Sequence, residues 1–337
     1  MIALNKMTEI KYWMHRNARE VELSLWNYFF ENGSRRDVAD ALSWYQNEDG
    51  GFGYALDADN WNPDSNPYQT SMAIRILRNI GFTDMEHPVC QGIFRYLYSE
   101  KDLTDYGWRF CIPTNDNFPH APWWQYDEER NLVESIGPTC DIATFILKYM
   151  DPGSELYRKT EKITNQLLTG FQDCENFGDM GIAGFMGMVE TLKELKYGDY
   201  DYDALWEKIK ILVKNSIETD VSKWAYYGVR PSNYIIGPQS ACYEDNKEIV
   251  EKELDYLEQT LPENGVWGIT WTWFDNNEKY AKEFAISENW WKAAAAVDKL
   301  VLLKNFGRLE TDISLCRPVY HSNPNASAIE SSRFPTP

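Results

Sequence analysis

The chain has 337 residues and a formal net charge of −19 at pH 7, from 52 acidic and 33 basic side chains. An acidic chain without a Lys/Arg cluster lacks the charge that binds nucleic acid or anionic membrane surfaces, so we exclude both as partners. Hydrophobic residues make up 43% and aromatic residues 15% of the sequence. This composition predicts a folded protein of one or two domains, with a large core or an aromatic-lined cavity.

The cysteines and the first residues bear on the cellular compartment. The six cysteines are scattered and form no CxxC pair. Residues 1–9 lack the apolar run of a signal peptide, and no segment reaches the ~18 continuous apolar residues of a membrane span. We therefore predict a cytoplasmic protein with free thiols and no transmembrane segment.

Helical periodicity dominates the sequence, and strand patterns are sparse. Some predicted helices are amphipathic, with apolar residues at 4-3-4 spacing, and others are apolar nearly all round, as over 141–150 and 290–303. A first helix is predicted over residues 8–30. It is followed by predicted helix pairs at 37–47 with 67–79, 88–99 with 138–150, 155–169 with 178–195, 202–218 with 233–243, and 246–260 with 286–304.

The two kinds of helix alternate along the chain. Outer amphipathic helices that alternate with inner apolar ones predict an all-α fold of the α/α toroid type, a ring of about six helical hairpins. An open solenoid is the alternative. We assign residues 1–310 to this single domain. Residues 311–337 are rich in Ser, Pro and Asn and have no periodicity, which predicts a loosely ordered tail.

Four glycines recur every third residue in the predicted helix over 178–195. They are Gly178, Gly181, Gly184 and Gly187. Glycine costs about 1 kcal/mol relative to Ala at a helical position, so the missing side chains must serve a purpose. Two purposes are open: close approach of a neighbouring helix, or a wider central cavity.

A short pattern occurs twice, each time after a predicted helix. Residues 46–53 read QNEDGGFG and residues 261–268 read LPENGVWG, so both copies contain Glu, Asp or Asn, Gly, any residue, an aromatic and Gly. An Asp/Asn-Gly turn followed by an aromatic residue indicates a helix stop with an apolar plug. Its recurrence indicates a repeat architecture.

The first copy, L-x-x-Y-Q-x-x-x-G-x-F over residues 42–52, resembles the Gln-Trp repeat of squalene and other class II terpene cyclases. It is also similar to the repeats of protein prenyltransferase β-subunits. That resemblance implies an α/α toroid with a central apolar cavity. A second resemblance, to a bacterial family labelled prenyltransferase-like, covers residues 49–59, 119–124, 267–271 and 307–309.

The active-site motifs of these relatives are mostly absent. The stretch that matches the cyclase Asp-x-Asp-Asp-Thr-Ala motif, residues 70–78, holds no carboxylate, and the chain has no Asp-x-Cys pair. Because the zinc-binding motif of the protein prenyltransferases is missing, we do not expect zinc-dependent protein prenylation. No cofactor is required by the sequence. Mg²⁺ would be needed only for a diphosphate ligand, with Asp57, Asp59 and Asp64 as its candidate ligands.

Asp57 and Asp59, in the segment LDADNWNPD over residues 56–64, are the first catalytic candidates. Two carboxylates two residues apart in an extended loop face the same way. If Trp61 helps to bury them, one holds a raised pKa and acts as a general acid beside its ionised partner. The alternative is that both side chains cap the next helix or bond loop amides.

His120 is the third catalytic candidate. Proline on both sides in FPHAPWW, residues 118–124, fixes the backbone around His120, Trp123 and Trp124. A rigid His beside an aromatic wall suits proton transfer or ligand orientation. Alternatively, the loop packs its two Trp onto the fold, and His120 is a hydrogen-bonded filler.

The remaining substrate-binding candidates are aromatic or charged residues near predicted helix ends. Aromatic faces stabilise carbocations, stack on sugar rings, or simply plug helix ends. An Arg binds a phosphate or carboxylate of a ligand, or forms a structural ion pair. With Trp61, Asp64, Trp123 and Trp124, these candidates are Tyr227, Arg230, Trp271, Trp273, Glu288 and Trp290.

Three functions are open. The first, which the resemblance implies, is a terpenoid cyclase-like or isoprenoid-handling enzyme whose carboxylic acid acts in an aromatic-lined cavity on an apolar small molecule. The second is a carbohydrate-active hydrolase or lyase, because α/α toroids also host that chemistry. The third is a non-catalytic binding or scaffold protein, so the sequence does not decide whether the protein is an enzyme.

Overall fold

The computed structural model describes residues 1–310, and this part of the chain is mostly helical, with long loops and almost no strand. It contains 13 α-helices. They are α1 Leu4–Asn17, α2 Glu20–Phe30, α3 Arg35–Leu42, α4 Pro67–Asn79, α5 Pro88–Tyr98, α6 Glu128–Glu134, α7 Ile136–Tyr149, α8 Glu155–Phe171, α9 Gly178–Leu195, α10 Tyr202–Ser216, α11 Tyr243–Thr260, α12 Asn276–Lys279 and α13 Ala281–Asn305. The prediction of an all-α fold is confirmed.

The other regular elements of the described residues are small. One antiparallel hairpin joins β1 Leu103–Thr104 to β2 Gly107–Trp108. Short 3₁₀ turns occur at Ser43–Tyr45, Pro113–Asn117, Pro122–Trp124, Val221–Ala225 and Pro231–Asn233. Within residues 1–310, every helix is too short or too polar to cross a bilayer. The predicted tail over 311–337 lies outside the described residues.

Local capping fixes where α4 begins. The segment directly before it, residues 53–66, contains Asp57, Asp59 and Asp64 and is called the acidic loop. The Asn66 side chain accepts a hydrogen bond from the Gln69 amide at 2.9 Å, and Pro67 occupies the first helical position. Asn is a strong N-cap and Pro is tolerated at this position, so the start is well specified. The cap ties the loop over residues 53–66 firmly to the first turn of α4.

The predicted helix over 8–30 is interrupted. Ala18 and Arg19 have extended backbone angles, which separate α1 from α2. At this break the Arg19 side chain bonds Glu22 on α2 and the carbonyl groups of Ala55 and Leu56 in the acidic loop. The interruption therefore brings a buried arginine to the loop that holds Asp57 and Asp59.

The predicted helix over 233–243 is wrong. Residues 234–242 form turns and bends, and α11 begins only at Tyr243. Pro238 has no backbone N–H to donate and Gly237 favours non-helical conformations, which accounts for the difference. The preceding segment is held by Glu253, which accepts hydrogen bonds from the amide and hydroxyl of Ser232 at 2.8 and 2.6 Å.

The helices contact one another in a series that follows the chain as far as α11, and the long last helix, α13, returns to the first two. Contacts run from α2 to α3, α4, α7, α9, α10 and α11, and α13 packs against both α1 and α2. The two ends also pair directly. The Ile2 amide donates to the Arg308 carbonyl, and the Glu310 amide donates to the Ile2 carbonyl, both at 2.8 Å.

Close packing of α9 on α7 accounts for glycines in α9. A Cβ added at Gly184 would lie 3.0 Å from the Cα of Gly137 on α7. A Cβ at Gly187 would lie 3.2 Å from the Arg78 guanidinium of α4. The small residues thus admit neighbouring groups, which favours helix packing over a wider cavity.

Both copies of the repeated pattern form the predicted turn. Gly50 has φ +91° and Gly265 has φ +85°, and the aromatic residues that follow, Phe52 and Trp267, are buried. In the first copy, the Gln46 side-chain amide donates to the carbonyls of Gly50 and Val89 at 2.9 Å. The predicted helix stop with an aromatic plug is confirmed at both positions.

Candidate functional site

The acidic loop is a series of tight turns, so the predicted extended conformation is wrong. Tyr54 and Ala55 have φ values of 54° and 59°, in the left-handed region. The Asp57 carboxylate accepts a hydrogen bond from the Asp59 amide at 2.9 Å, and the Asp57 amide donates to Gln69 Oε1 at 3.2 Å. Both aspartates are nevertheless buried, each with 3% of its surface exposed. Asp57 thus bonds a loop amide, as one of the sequence alternatives proposed.

Indole N–H groups from the distant C-terminal part of the fold bind Asp59. Trp271 Nε1 donates to Asp59 Oδ2 at 3.0 Å, and Trp273 Nε1 donates to Oδ1 at 2.6 Å. Trp291 lies close enough to favour the ionised form of Asp59 but has no full hydrogen bond for its buried N–H. Trp124 likewise favours the ionised form of Asp57, and its buried N–H also has no full hydrogen bond. The carboxyl pair is therefore enclosed by indoles.

Burial gives the two carboxyl groups unusual proton affinities. It raises the pKa of Asp57 to about 7, and the negative charge of Asp59 adds to this effect, whereas the Arg19 cation opposes it. Burial also raises the pKa of Asp59 to about 6, against the opposing hydrogen bonds from Trp273 and the other indoles. Near neutral pH, Asp57 is the better holder of a proton, and Asp59 is the better anion.

Aromatic rings surround this pair. Trp61 stacks on Trp290 with ring centroids 5.3 Å apart and an interplanar angle of 16°, and its N–H donates to Ser287 Oγ at 2.8 Å. Trp271 and Trp291 meet edge to face at 5.5 Å. These four Trp keep part of their surface exposed. Aromatic surface is thus available to a ligand next to the carboxyl pair.

A second aromatic group lies behind Asp57. The rings of Tyr68, Phe110 and Trp124 contact one another at centroid distances of 4.4 to 5.3 Å. They belong to an apolar cluster that is separate from the main core and also includes Trp273. Burial raises the pKa of the Tyr68 hydroxyl well above its ordinary value. This cluster keeps water away from one side of the pair.

His120 is joined to the acidic loop through the backbone. The Ala121 amide donates to the Asp59 carbonyl at 2.9 Å, and the Trp61 amide donates to the Pro119 carbonyl at 3.0 Å. His120 Nδ1 lies 2.7 Å from the Phe118 carbonyl, which only accepts, so Nδ1 carries a hydrogen. In the neutral ring Nε2 is then the acceptor. Among the described hydrogen bonds, none joins this ring to Asp57 or Asp59.

Other predicted site residues lie apart from the carboxyl pair or have other partners. Asp64 is exposed, and no group of three His, Cys, Asp or Glu within residues 1–310 is arranged to bind a metal. The predicted Mg²⁺ ligand set of Asp57, Asp59 and Asp64 is therefore not assembled there. Glu288 forms an ion pair with Lys292 at 2.6 Å.

The predicted anion anchor, Arg230, has structural partners. Its guanidinium donates to the Trp224 carbonyl and lies 5.4 Å from the ring centroid of Tyr256. Tyr227 is exposed and meets Trp271 edge to face at 6.3 Å. Trp123 is half-buried, and its carbonyl accepts a hydrogen bond from Arg130 at 2.8 Å. Tyr227 and Trp123 therefore contact the aromatic residues near the carboxyl pair, whereas the described partners of Arg230 lie elsewhere.

Further charged side chains lie on α13 and, separately, on α4 and α7. Asp298 is exposed to water, yet surrounding protein raises its pKa to about 6. Burial lowers the pKa of neighbouring Lys299 to about 8. Asp141 is buried between Arg75 and Arg78, at 3.1 and 2.8 Å.

Sequence reasoning missed several residues of the site. Ser287 and Tyr68 carry no motif, and only their positions near the starts of predicted helices pointed to the site. Arg19 had one signal, a charged residue within a long helical pattern. Comparison with known proteins yields no match to a family model, a curated protein or a solved structure. The chemistry is therefore inferred from the geometry alone.

Replacing Trp273 by Phe should raise the pKa of Asp59, because the indole N–H that favours the carboxylate is lost. The pH titration of the Asp59 carboxyl carbon by NMR measures this change. Trp267→Phe is the matched control, since its buried indole donates to the Leu257 carbonyl instead. An unchanged Asp59 midpoint in Trp273→Phe would contradict the electrostatic role of this indole.

Proposed function

We propose that the protein is an enzyme in which Asp57 acts as a general acid on a small isoprenoid-type substrate, as in terpenoid cyclases. The observation that carries the proposal is the buried Asp57–Asp59 pair, in which two indole N–H groups bind the Asp59 carboxylate while burial raises the pKa of Asp57 to about 7. Two carboxyl groups whose environments separate their roles are typical of acid catalysis. The adjacent aromatic surface fits an apolar substrate.

In the proposed reaction, the neutral Asp57 carboxyl transfers its proton to a carbon of an alkene. A C–H bond forms, the alkene π bond is consumed, and a carbocation remains on the substrate. The face of Trp61 that is turned away from Trp290 stabilises this cation, and the Asp59 carboxylate lowers its energy electrostatically. Loss of a proton from another carbon of the cation forms a new double bond. That proton restores the Asp57 acid.

We further propose that the helices close into an α/α toroid formed by one domain over residues 1–310, in the superfamily of terpenoid cyclases and protein prenyltransferases. The contact between α13 and α2 and the pairing of Ile2 with Leu309 support closure. The cysteines within the described residues are free, which supports our proposal of a reducing, cytoplasmic environment. A small molecule would enter the space between the inner helices.

A second candidate function is the hydrolysis or elimination of a carbohydrate. One observation favours it: the exposed Asp298 and its neighbour Lys299 place charge on α13, the helix that also carries Trp290, which suits a polar ligand better than a hydrocarbon. The face of Trp61 that is turned away from Trp290 would then stack on a sugar ring. Under this alternative Asp57 would protonate a glycosidic oxygen. A non-catalytic binding protein is the third possibility that the same experiment tests.

A thermal-shift screen distinguishes these functions. The probes are polyprenyl diphosphates with and without Mg²⁺, neutral polyprenes, and neutral and uronic oligosaccharides. A ligand at 100 times its Kd adds about 2.7 kcal/mol to stability, a shift of several degrees. A shift with isoprenoids supports the cyclase-like proposal, and a shift with sugars alone replaces it by the second candidate. No shift with any probe contradicts both enzyme proposals and favours a scaffold.

A further inference from the structure

Arg19 is the one arginine that reaches the turn preceding Asp57 within the described structure. Its side chain is buried, with 8% of its surface exposed, at the break between α1 and α2. The guanidinium donates to both carboxylate oxygens of Glu22, to the Ala55 carbonyl and, at 3.3 Å, to the Leu56 carbonyl. One planar cation thus holds two successive carbonyl groups directly before the proposed acid.

The turn that Arg19 holds is conformationally unfavourable on its own. Tyr54 and Ala55 are consecutive non-glycine residues with φ values of 54° and 59°. Left-handed conformations cost free energy in residues with a Cβ, and they persist where the surroundings enforce them. The hydrogen bonds from Arg19 to the Ala55 and Leu56 carbonyls supply such a restraint.

Arg19 also supports the aromatic surface beside the acid. Its Cζ lies 4.9 Å from the ring centroid of Trp290 and 5.4 Å from that of Tyr45. Trp290 in turn stacks on Trp61, which lies four residues after Asp57 in the same loop. The cation, the two indoles and the loop therefore form one connected unit.

The charge of Arg19 acts on the acid as well. The titratable groups that influence Arg19 are Glu22, Tyr45 and Asp57, and those that influence Asp57 are Asp59 and Arg19. Glu22 binds Arg19 in a bidentate pair and offsets part of its charge. The part of the Arg19 charge that Glu22 does not offset stabilises the Asp57 carboxylate and limits how far burial raises the pKa of Asp57. The proton of Asp57 is thereby kept transferable.

We propose that Arg19 is a positioning residue for Asp57, which it serves by fixing the turn at Tyr54–Leu56 and the Trp290 indole beside it. The identity of Asp57 as the acid rests on the proposed function. The structural role of Arg19 does not, because it concerns the turn and its titration in the free protein.

The test compares Arg19→Met and Arg19→Lys with the unmodified protein, without any substrate. NMR reports the titration midpoint of the Asp57 carboxyl carbon and the hydrogen-exchange rates of the Asp57 and Asp59 amides. In Arg19→Met, which lacks the cation, we expect the midpoint to move to higher pH and exchange to become at least about tenfold faster. Arg19→Lys restores the charge but not the paired donors, so its midpoint returns towards the original value while exchange stays fast.

Arg35→Met is the matched control. Arg35 also donates to a backbone carbonyl, that of Ile80 at 2.6 Å, but it contacts no residue of the acidic loop. An Arg19→Met protein with the original midpoint and exchange rates would overturn the proposal. If Arg19→Met does not fold, the test rests on Arg19→Lys. Hydrogen-exchange rates of the Asp57 and Asp59 amides that equal those of the unmodified protein in Arg19→Lys would also overturn the proposal. An ordinary Asp57 midpoint in the unmodified protein would instead contradict the proposed function.

Discussion

Replacing Asp57 by Asn should lower turnover at least about a hundredfold and at the same time make the protein more stable at pH 8. The folded protein raises the pKa of Asp57 from 3.8 to about 7, chiefly through burial. Above that pH the buried charge of Asp57 destabilises the folded protein. A neutral Asn carries no such charge, and its side-chain oxygen can still accept a hydrogen bond from the Asp59 amide. Loss of a general acid lowers rates by about 10² to 10⁴.

The direction of the pH dependence follows from proton binding. Between the unfolded and folded pKa values, the folded state binds more protons at Asp57 than the unfolded state does. The contribution to stability is therefore complete below about pH 4 and is lost as the pH rises through about 7. The size of the loss is on the order of 4 kcal/mol, because the pKa rises by roughly three units and one unit corresponds to about 1.4 kcal/mol.

Urea unfolding at pH 5 and pH 8 measures this effect. The unmodified protein should lose stability over that interval relative to Asp57→Asn, so the difference between the two proteins grows with pH. Asp64→Asn is the matched control, since Asp64 lies in the same loop but is exposed. Parallel pH profiles of the Asp57→Asn and unmodified proteins would show that Asp57 has an ordinary pKa, and the acid mechanism would fail.

Gly50→Ala should prevent folding or cost more than about 4 kcal/mol of unfolding free energy. A Cβ at this position would lie 1.9 Å from the carbonyl oxygen of Gly92, and the residue has φ +91°. The new methyl group would therefore meet backbone that has no rotamer to adopt. In Gly50→Ala, the strain of a left-handed backbone conformation and the collision with Gly92 both lower the free energy of unfolding.

Gly265→Ala separates the two contributions. Gly265 occupies the same turn of the second repeat with φ +85°, but its nearest neighbour would be the Trp13 ring at 3.6 Å. We expect this variant to fold and to cost about 1–2 kcal/mol, the strain of a left-handed residue alone. Equal losses in the two variants, measured by urea unfolding, would contradict the collision at Gly92.

The sequence predicted most helix boundaries well, because caps and turns depend on residues that are close together in the chain. The start of α4 at Pro67 follows from the Asn66 cap, and the turns at Gly50 and Gly265 follow from Asp/Asn-Gly pairs. The failures are also physical. The turns over residues 234–242 replaced a predicted helix because Gly237 and Pro238 outweigh an apolar pattern.

The candidate site could be predicted only in part. Asp57 and Asp59 stood out as closely spaced carboxylates near Trp61, and the structure buries them together. Their proton affinities depend on Trp273, which lies 214 residues after Asp59, and no local pattern reveals that contact. Arg19 escaped prediction for the same reason, since its carbonyl partners lie 36 and 37 residues away.

The pairing of Ile2 with Leu309 has a consequence for biosynthesis. Domains begin to fold while the ribosome still makes the chain, N-terminal part first. Here α2 receives its contact with α13, and Asp59 receives its bonds from Trp271 and Trp273, only after nearly the whole described chain has emerged. A nascent chain that stops before Trp271 therefore lacks both indole donors to Asp59, so the carboxyl pair gains its hydrogen-bond partners late in the synthesis of residues 1–310.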